Sequence, residues 1–214
     1  MIKCDLQPSW TNISLGEYLD IQELVTNNID KMSDEDIVMN EIQIIYNRNP
    51  YSMPMTEFKK CIEGIGFLST PMPKMKVKDE YWLNGNKYYL HKKLNDFRVA
   101  QYIDYDQIMK HNKGMETYAQ FISLFLTPSS DGVYGEGYDV GAVAEDVRKY
   151  MSIADADSIA NFFLRQSRAF IVTFLWSTHR SARKAMKDRK SRRELRKKTK
   201  QLIKMIIRGD SLPY

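Results

Sequence analysis

Apolar residues recur at helical spacing through most of the chain, and at strand spacing in one place. Leu15, Tyr18, Leu19, Ile21 and Leu24 form one apolar face behind Ser14 and Glu17, which stand at the spacing of a capping box. They predict a first helix running to about Asn28. Ser33 with Asp34, Glu35 and Asp36 opens a second helix through Ile37, Ile42, Ile44 and Ile45 to Tyr46, and the two together read as a helical hairpin. Asn49, Pro50 and Pro54 interrupt the pattern, a short helix follows around Met55 to Ile62, and Pro71 and Pro73 impose an extended surface connector. From Val77 to Leu90 the pattern changes: Tyr81-Trp82-Leu83 and Tyr88-Tyr89-Leu90 flank Asn84-Gly85, a pair suited to a type I′ turn because both central residues need positive φ. A lone two-stranded hairpin is marginal in water, so this one must pack on its own helices or pair with a strand of another subunit.

Two further helices are predicted over Leu94 to Met109 and Met115 to Leu126, the second a core helix with Phe121, Ile122, Leu124, Phe125 and Leu126. Pro128 to Asp139 follows, with three glycines and no core pattern, and reads as a surface loop. Asp139 is placed to cap a helix through Tyr150, and Ser152 with Asp155 forms a capping box for the last helix. That helix meets no Pro or Gly until Gly209. Up to Trp176 it is apolar on one face through Ala156, Ile159, Ala160, Phe163, Phe170 and Phe174. Beyond His179 it becomes a charged rod. The expected fold is mainly α: an acidic helical body with one small β-hairpin, residues 1–178, and a long basic C-terminal helix, residues 179–214.

Charge sharpens that division. Between Arg180 and Arg208 lie fourteen Lys and Arg against Asp188 and Glu194, an excess of twelve that leaves −7 for the rest of a chain of net charge +5. As a helix this segment would measure roughly 44 Å at about 1.5 Å per residue, too long to lie wholly on a body of this size. At four-residue spacing it holds eight like-charge pairs against four opposite ones, which costs the isolated helix roughly 1–2 kcal/mol. Partner binding and ordering are therefore expected to be coupled. Three readings of the rod stand side by side: a solvated terminal helix, sequence-blind contact with a nucleic-acid phosphate backbone, and docking into a protein partner. The third draws on the apolar tip Leu202-Ile203-Lys204-Met205-Ile206-Ile207, for which the sequence offers no obvious cover. The residues expected to meet a partner or DNA are Arg180, Arg183, Arg189, Arg192, Arg193, Arg196, Lys197, Lys200, Leu202, Ile203, Ile206 and Ile207. Arg208-Gly209-Asp210 spells an adhesion tripeptide, but Gly209 is better read as a helix stop.

Candidate chemistry is sparse. His91, His111 and His179 have no partners at metal or triad spacing, and Cys4 and Cys61 define no disulfide framework, as expected in a reducing compartment. Asp34-Glu35-Asp36, Asp104 with Asp106, and Asp155 with Asp157 read as helix-start or solvent-facing charges, and the glycines do not follow the strand, loop, helix order of a nucleotide cradle. Neither an enzyme, nor a cofactor or metal site, nor a signal peptide or membrane span is expected.

The segments Tyr81-Trp82-Leu83-Asn84-Gly85-Asn86-Lys87-Tyr88-Tyr89-Leu90, Val99-Ala100-Gln101-Tyr102-Ile103-Asp104-Tyr105, Gly137-Tyr138-Asp139 and Asp157-Ser158-Ile159-Ala160-Asn161-Phe162-Phe163-Leu164 resemble the small neck and tail-assembly proteins of tailed bacteriophages, especially crAss-like phages of gut Bacteroidetes. The resemblance spans about the central half of the chain. It implies a virion component assembled in the host cytoplasm, a neck ring or head–tail adaptor acting through a homo-oligomeric ring and contacts with the portal or other neck and tail proteins. A tail-assembly chaperone absent from the finished particle is the first alternative, and a sequence-nonspecific nucleic-acid-binding protein the second.

Overall fold

The computed structural model describes residues 7–28, 31–93, 98–111, 117–166, 195–201 and 203–204. The chain divides into two compact units, 1–160 and 161–214. The first is built from helices with one small antiparallel sheet. In it follow α1 (Leu15–Asn28), α2 (Asp34–Tyr46), a 3-10 turn (Pro50–Ser52), α3 (Met55–Ile65), a second 3-10 turn (Gly66–Ser69), β1 (Glu80–Leu83), β2 (Asn86–Leu90), α4 (Val99–His111), α5 (Thr117–Ser123), β3 (Leu126–Thr127) and α6 (Val140–Tyr150). A further helical stretch begins at residue 153 and runs to the end of this unit.

The helix starts form where side chains satisfy the first backbone amides. Ser14 Oγ accepts from the Glu17 amide at 3.1 Å, and Glu17 returns the favour by accepting from the Ser14 amide at 2.8 Å. Ser33 accepts from the Asp36 amide at 3.2 Å, Asp139 from the Gly141 amide at 2.8 Å and Ser152 from the Asp155 amide at 3.1 Å. The α1–α2 hairpin forms as expected, and α2 ends on Asn47 in the left-handed region at φ 52°. The two ends of the unit meet in an isolated antiparallel bridge between Ser14 and Ser152, where the Leu15 amide donates to the Met151 carbonyl at 2.8 Å and the Ile153 amide to the Ile13 carbonyl at 3.1 Å. Around that joint lies the core: Ile13, Leu15, Ile42, Ile122, Leu124, Val147, Met151 and Ile159 are all buried. At Gly16, where α1 meets α6, a Cβ would lie 3.0 Å from the Arg148 carbonyl oxygen, so the close approach of the two helices depends on its missing side chain.

The hairpin closes with Tyr81 opposite Tyr88 and Leu83 opposite Asn86, and its turn puts Asn84 at φ 52° and Gly85 at φ 76°. Gly85→Ala should destabilise the fold by about 1 kcal/mol, because an L side chain is strained at that φ. A lowered melting temperature checks it, and an unchanged one refutes it. Tyr81, Leu83, Tyr88 and Leu90 point inward and are buried, so the hairpin packs on its own helices.

Three expectations are corrected. The hairpin is not a lone pair, because β3 adds a third strand through Tyr89 opposite Thr127 and Leu90 opposite Leu126. The core helix predicted to Leu126 stops at Ser123. Its backbone finds other partners: the Leu124 carbonyl accepts from the buried Gln101 side chain at 2.8 Å, and the Phe125 carbonyl accepts from the His91 amide at 2.9 Å. The irregular stretch after Pro128 is not wholly a surface loop, since Tyr134 is buried and its hydroxyl donates to Asp104 at 2.7 Å. α4 begins at Val99; of the expected earlier start, residues 94–97 lie outside the described residues. No described helix is long and apolar enough to cross a membrane.

Candidate interaction surfaces

In the second unit, residues 195–201 and 203–204 are helical. Arg196, Lys197, Lys198, Lys200 and Lys204 are exposed, whereas Thr199 and Ile203, four residues apart, are buried. The Thr199 hydroxyl donates to the Leu195 carbonyl one turn earlier at 2.9 Å, which lets a polar residue sit on the covered side. The helix is thus two-sided, with its bases outward. Ile203, expected on an uncovered apolar tip, is instead covered by its own chain. Of the other residues expected to contact a partner, Arg180, Arg183, Arg189, Arg192, Arg193, Leu202, Ile206 and Ile207 lie outside the described residues, as does most of the expected long helix.

The first unit presents two surfaces that charge counting and motif reading did not single out. On α4, Val99, Tyr102 and Ile103 are 77%, 64% and 49% exposed, at the i, i+3, i+4 spacing of one helix face. The opposite face carries the buried Gln101. α4 therefore has an apolar side that its own unit leaves open. The outer face of the sheet is the second surface. Trp82 is 68% exposed, and Lys87 lies across from it with its ammonium 6.0 Å from the Trp82 ring and 4.9 Å from the Tyr89 ring. Glu80 holds Lys87 at 2.7 Å, and that hydrogen bond raises the lysine pKa above its ordinary value.

Inside the unit, carboxylates and tyrosines pair across the fold. The Tyr88 hydroxyl donates to Asp146 at 2.7 Å, tying the sheet to α6, and the Asn84 amide reaches the same carboxylate at 3.3 Å. Burial first, then this hydrogen bond, pushes the Tyr88 pKa up to about 12. Burial likewise pushes Tyr81 up to about 12, although its oxygen accepts from the Lys78 amide. Tyr118 beside Asp157 and Tyr134 beside Asp104 are raised for the same reasons, burial leading. Asp155 lies in the first turn of the helix that begins at residue 153, with Asp157 just after it, as a helix-start charge should, and it also pairs with Lys78 at 3.0 Å. Asp104, in the interior of α4 and half-buried, is neither a helix-start nor a solvent-facing charge. These are long-range pairings that no local pattern announces.

A cleft of about 650 Å³ opens over α5, between α4 and α6, with Asp104, Tyr134, Glu145 and Arg148 on its walls. Its charged groups are engaged within the chain: Asp104 with Tyr134, Glu145 with Lys149 at 2.9 Å, and Arg148 with Asp20 at 3.2 Å. A second, about 580 Å³, lies beside Tyr46 and α3, where Arg48 pairs with Glu57 and Cys61 carries a buried thiol. His91 is held by Thr127, whose hydroxyl donates onward to the Ser129 carbonyl at 2.6 Å, so the imidazole supplies the proton in its own 2.7 Å contact through Nε2. Among the described residues no three His, Cys, Asp or Glu side chains are grouped to hold a metal ion. What the arrangement offers is surface: an apolar helix face, an aromatic sheet face and a basic helix face. No protein family, curated protein or solved structure matches this chain.

Proposed function

We propose that the protein is a structural component of a tailed-bacteriophage particle, a neck ring or head–tail adaptor at the portal–tail junction that works through contacts with copies of itself and with portal or neck proteins. The observation that carries this reading is the open apolar face of α4. Leaving Val99, Tyr102 and Ile103 in water forgoes about 25 cal/mol for each Å² of apolar surface, which a neighbouring subunit would recover. The segments that resemble neck and tail-assembly proteins include this helix and the hairpin, so the exposed aromatics Tyr102 and Trp82 both fall within them. Charge supports association between copies as well. Residues 161–214 hold sixteen of the 32 Lys and Arg but only three of the 27 Asp and Glu, which gives that unit +13 and leaves −8 on residues 1–160. Fields of opposite sign on two parts of one chain favour the meeting of one copy's acidic part with another's basic part. The reading assigns the protein no catalysis and no cofactor.

Quantitative mass spectrometry of purified particles, normalised to the portal, tests it. A small fixed ratio to the portal is the expected result. Absence from particles with abundance in infected cells sinks the virion reading and favours the assembly-chaperone alternative. A nucleic-acid reading has one observation on its side, the exposed row of Arg196, Lys197, Lys200 and Lys204. It requires DNA affinity that falls by roughly 10³–10⁵ between 50 and 200 mM salt for six to ten phosphate contacts. Binding without such salt dependence removes it.

A further inference from the structure

The three strands run in the order β1-β2-β3, so the sheet has two edges. The β3 edge is closed, with Leu126 and Thr127 both buried. Among the described residues no strand pairs with the β1 edge. Its hydrogen-bonding phase follows from one contact: the Leu90 amide donates to the Asp79 carbonyl at 2.9 Å. In an antiparallel pair the bonded positions alternate, so Asp79, Tyr81 and Leu83 bond to β2, while the amide and carbonyl of Glu80 and Trp82 point away from it. No hydrogen bond among the described residues uses those four backbone groups. Beside them stands Trp82, 68% exposed on the outer face of the sheet. A short edge with an adjoining charge is a common way to discourage pairing, and β1 is four residues long with Glu80 on it. A large exposed indole next to unpaired amides does the reverse.

We propose that β1 pairs with β1 of a second copy, antiparallel about a two-fold axis, to make one continuous six-stranded sheet. Self-complementarity argues for that occupant. In the register that places Tyr81 opposite its own counterpart, Glu80 of each copy faces Trp82 of the other, and all four open groups on each strand find partners, giving four hydrogen bonds. Shifting the register by two residues in one direction sets the two Glu80 carboxylates directly opposite each other, where like charges repel. The same shift calls on the Lys78 amide, which already donates to the Tyr81 hydroxyl at 3.0 Å. Shifting it the other way runs the strand into the Asn84-Gly85 turn. The favoured register also covers each indole with the neighbouring strand, and a buried Trp is the side chain that most often anchors an interface. This pairing goes beyond the portal–tail reading and does not depend on it.

Sedimentation velocity and amide hydrogen exchange on the full chain test the proposal together. The expected result is a species of twice the 25.1 kDa chain mass that dissociates on dilution. The Glu80 and Trp82 amides should exchange slowly in the dimer and fast in the monomer. Trp82→Pro removes the outward amide and the indole but takes no bond from β1–β2, since that amide faces away from β2. It is expected to sediment as a monomer while the Tyr81 and Leu83 amides stay protected, which shows that the hairpin still folds. Trp82→Ala keeps the amide and should weaken dimerisation at least tenfold. Fast exchange at Glu80 and Trp82 at every concentration overturns the pairing, as does a Trp82→Pro variant that keeps the wild-type mass with its hairpin intact. Protection of the two amides at monomer mass also overturns it. None of these results alters the abundance of the protein in particles, so the two proposals fail separately.

Discussion

Ile122→Ala is expected to lower the stability of the protein by about 2–5 kcal/mol. Ile122 is fully buried on α5, the helix that packs against both α4 and α6 and leads directly into β3. Truncation removes three methyl or methylene groups from water-free surroundings, and the walls of the hole are fixed from several sides. α6 is held to the sheet through Asp146 and to α1 at Gly16, so it cannot slide inward to fill the space. A loss of that size is a large share of the roughly 5–15 kcal/mol by which domains are stable. Ile62 supplies the control: it is 41% exposed on α3, and the same truncation there should cost far less. Urea unfolding followed by circular dichroism measures both. Equal midpoints for the two variants would mean that α5 is not the centre of the core.

Stability should also fall steeply as pH rises from about 10 towards and beyond 12. Tyr81 and Tyr88 are held neutral up to about 12 by burial, in Tyr88 with the added hydrogen bond to Asp146, whereas an unfolded tyrosine ionises near 10. Above pH 10 the unfolded chain binds fewer protons than the folded one, so the slope of unfolding free energy against pH is negative. The stabilisation is complete below the unfolded value and is lost as pH passes through the folded values. Tyr118 and Tyr134, raised in the same direction, extend the fall. Melting temperatures from pH 8 to 12 should therefore drop on the alkaline side, and part of the tyrosinate absorbance should appear only as the protein unfolds. Tyr88→Phe removes one of the titrating groups and should make the drop shallower. A melting temperature that stays flat past pH 11 would contradict this account.

The sequence carried the helix starts well because they are local. Ser14 with Glu17, Ser33 with Asp36, and Ser152 with Asp155 lie three residues apart, and the bonds they form are the ones their spacing allows. Asn84-Gly85 announced the hairpin for the same reason. β3 was not legible: Leu124-Phe125-Leu126 is a short apolar run that suits a buried helix end as well as a strand, and the choice is made by β2, more than thirty residues earlier in the chain. Tyr134 was hidden among glycines, since its partner Asp104 lies thirty residues away. The candidate surfaces divide likewise. The basic helix face could be seen from composition, whereas the open side of α4 becomes visible only once Gln101 is known to turn inward.

The joint between Ser14 and Ser152 sets an order of events during synthesis. α1 emerges first but docks against residues 151 and 153, and its first amide has its acceptor only when Met151 has been made. At about 5–20 residues per second, Leu15 precedes Met151 by roughly 7–27 s. In that interval α1 can pack on α2 but not on α6's end, and Leu15 still waits for the segment that completes its surroundings. α1 therefore keeps apolar surface uncovered for many seconds, and the last segment of the body to appear is the one that seals it.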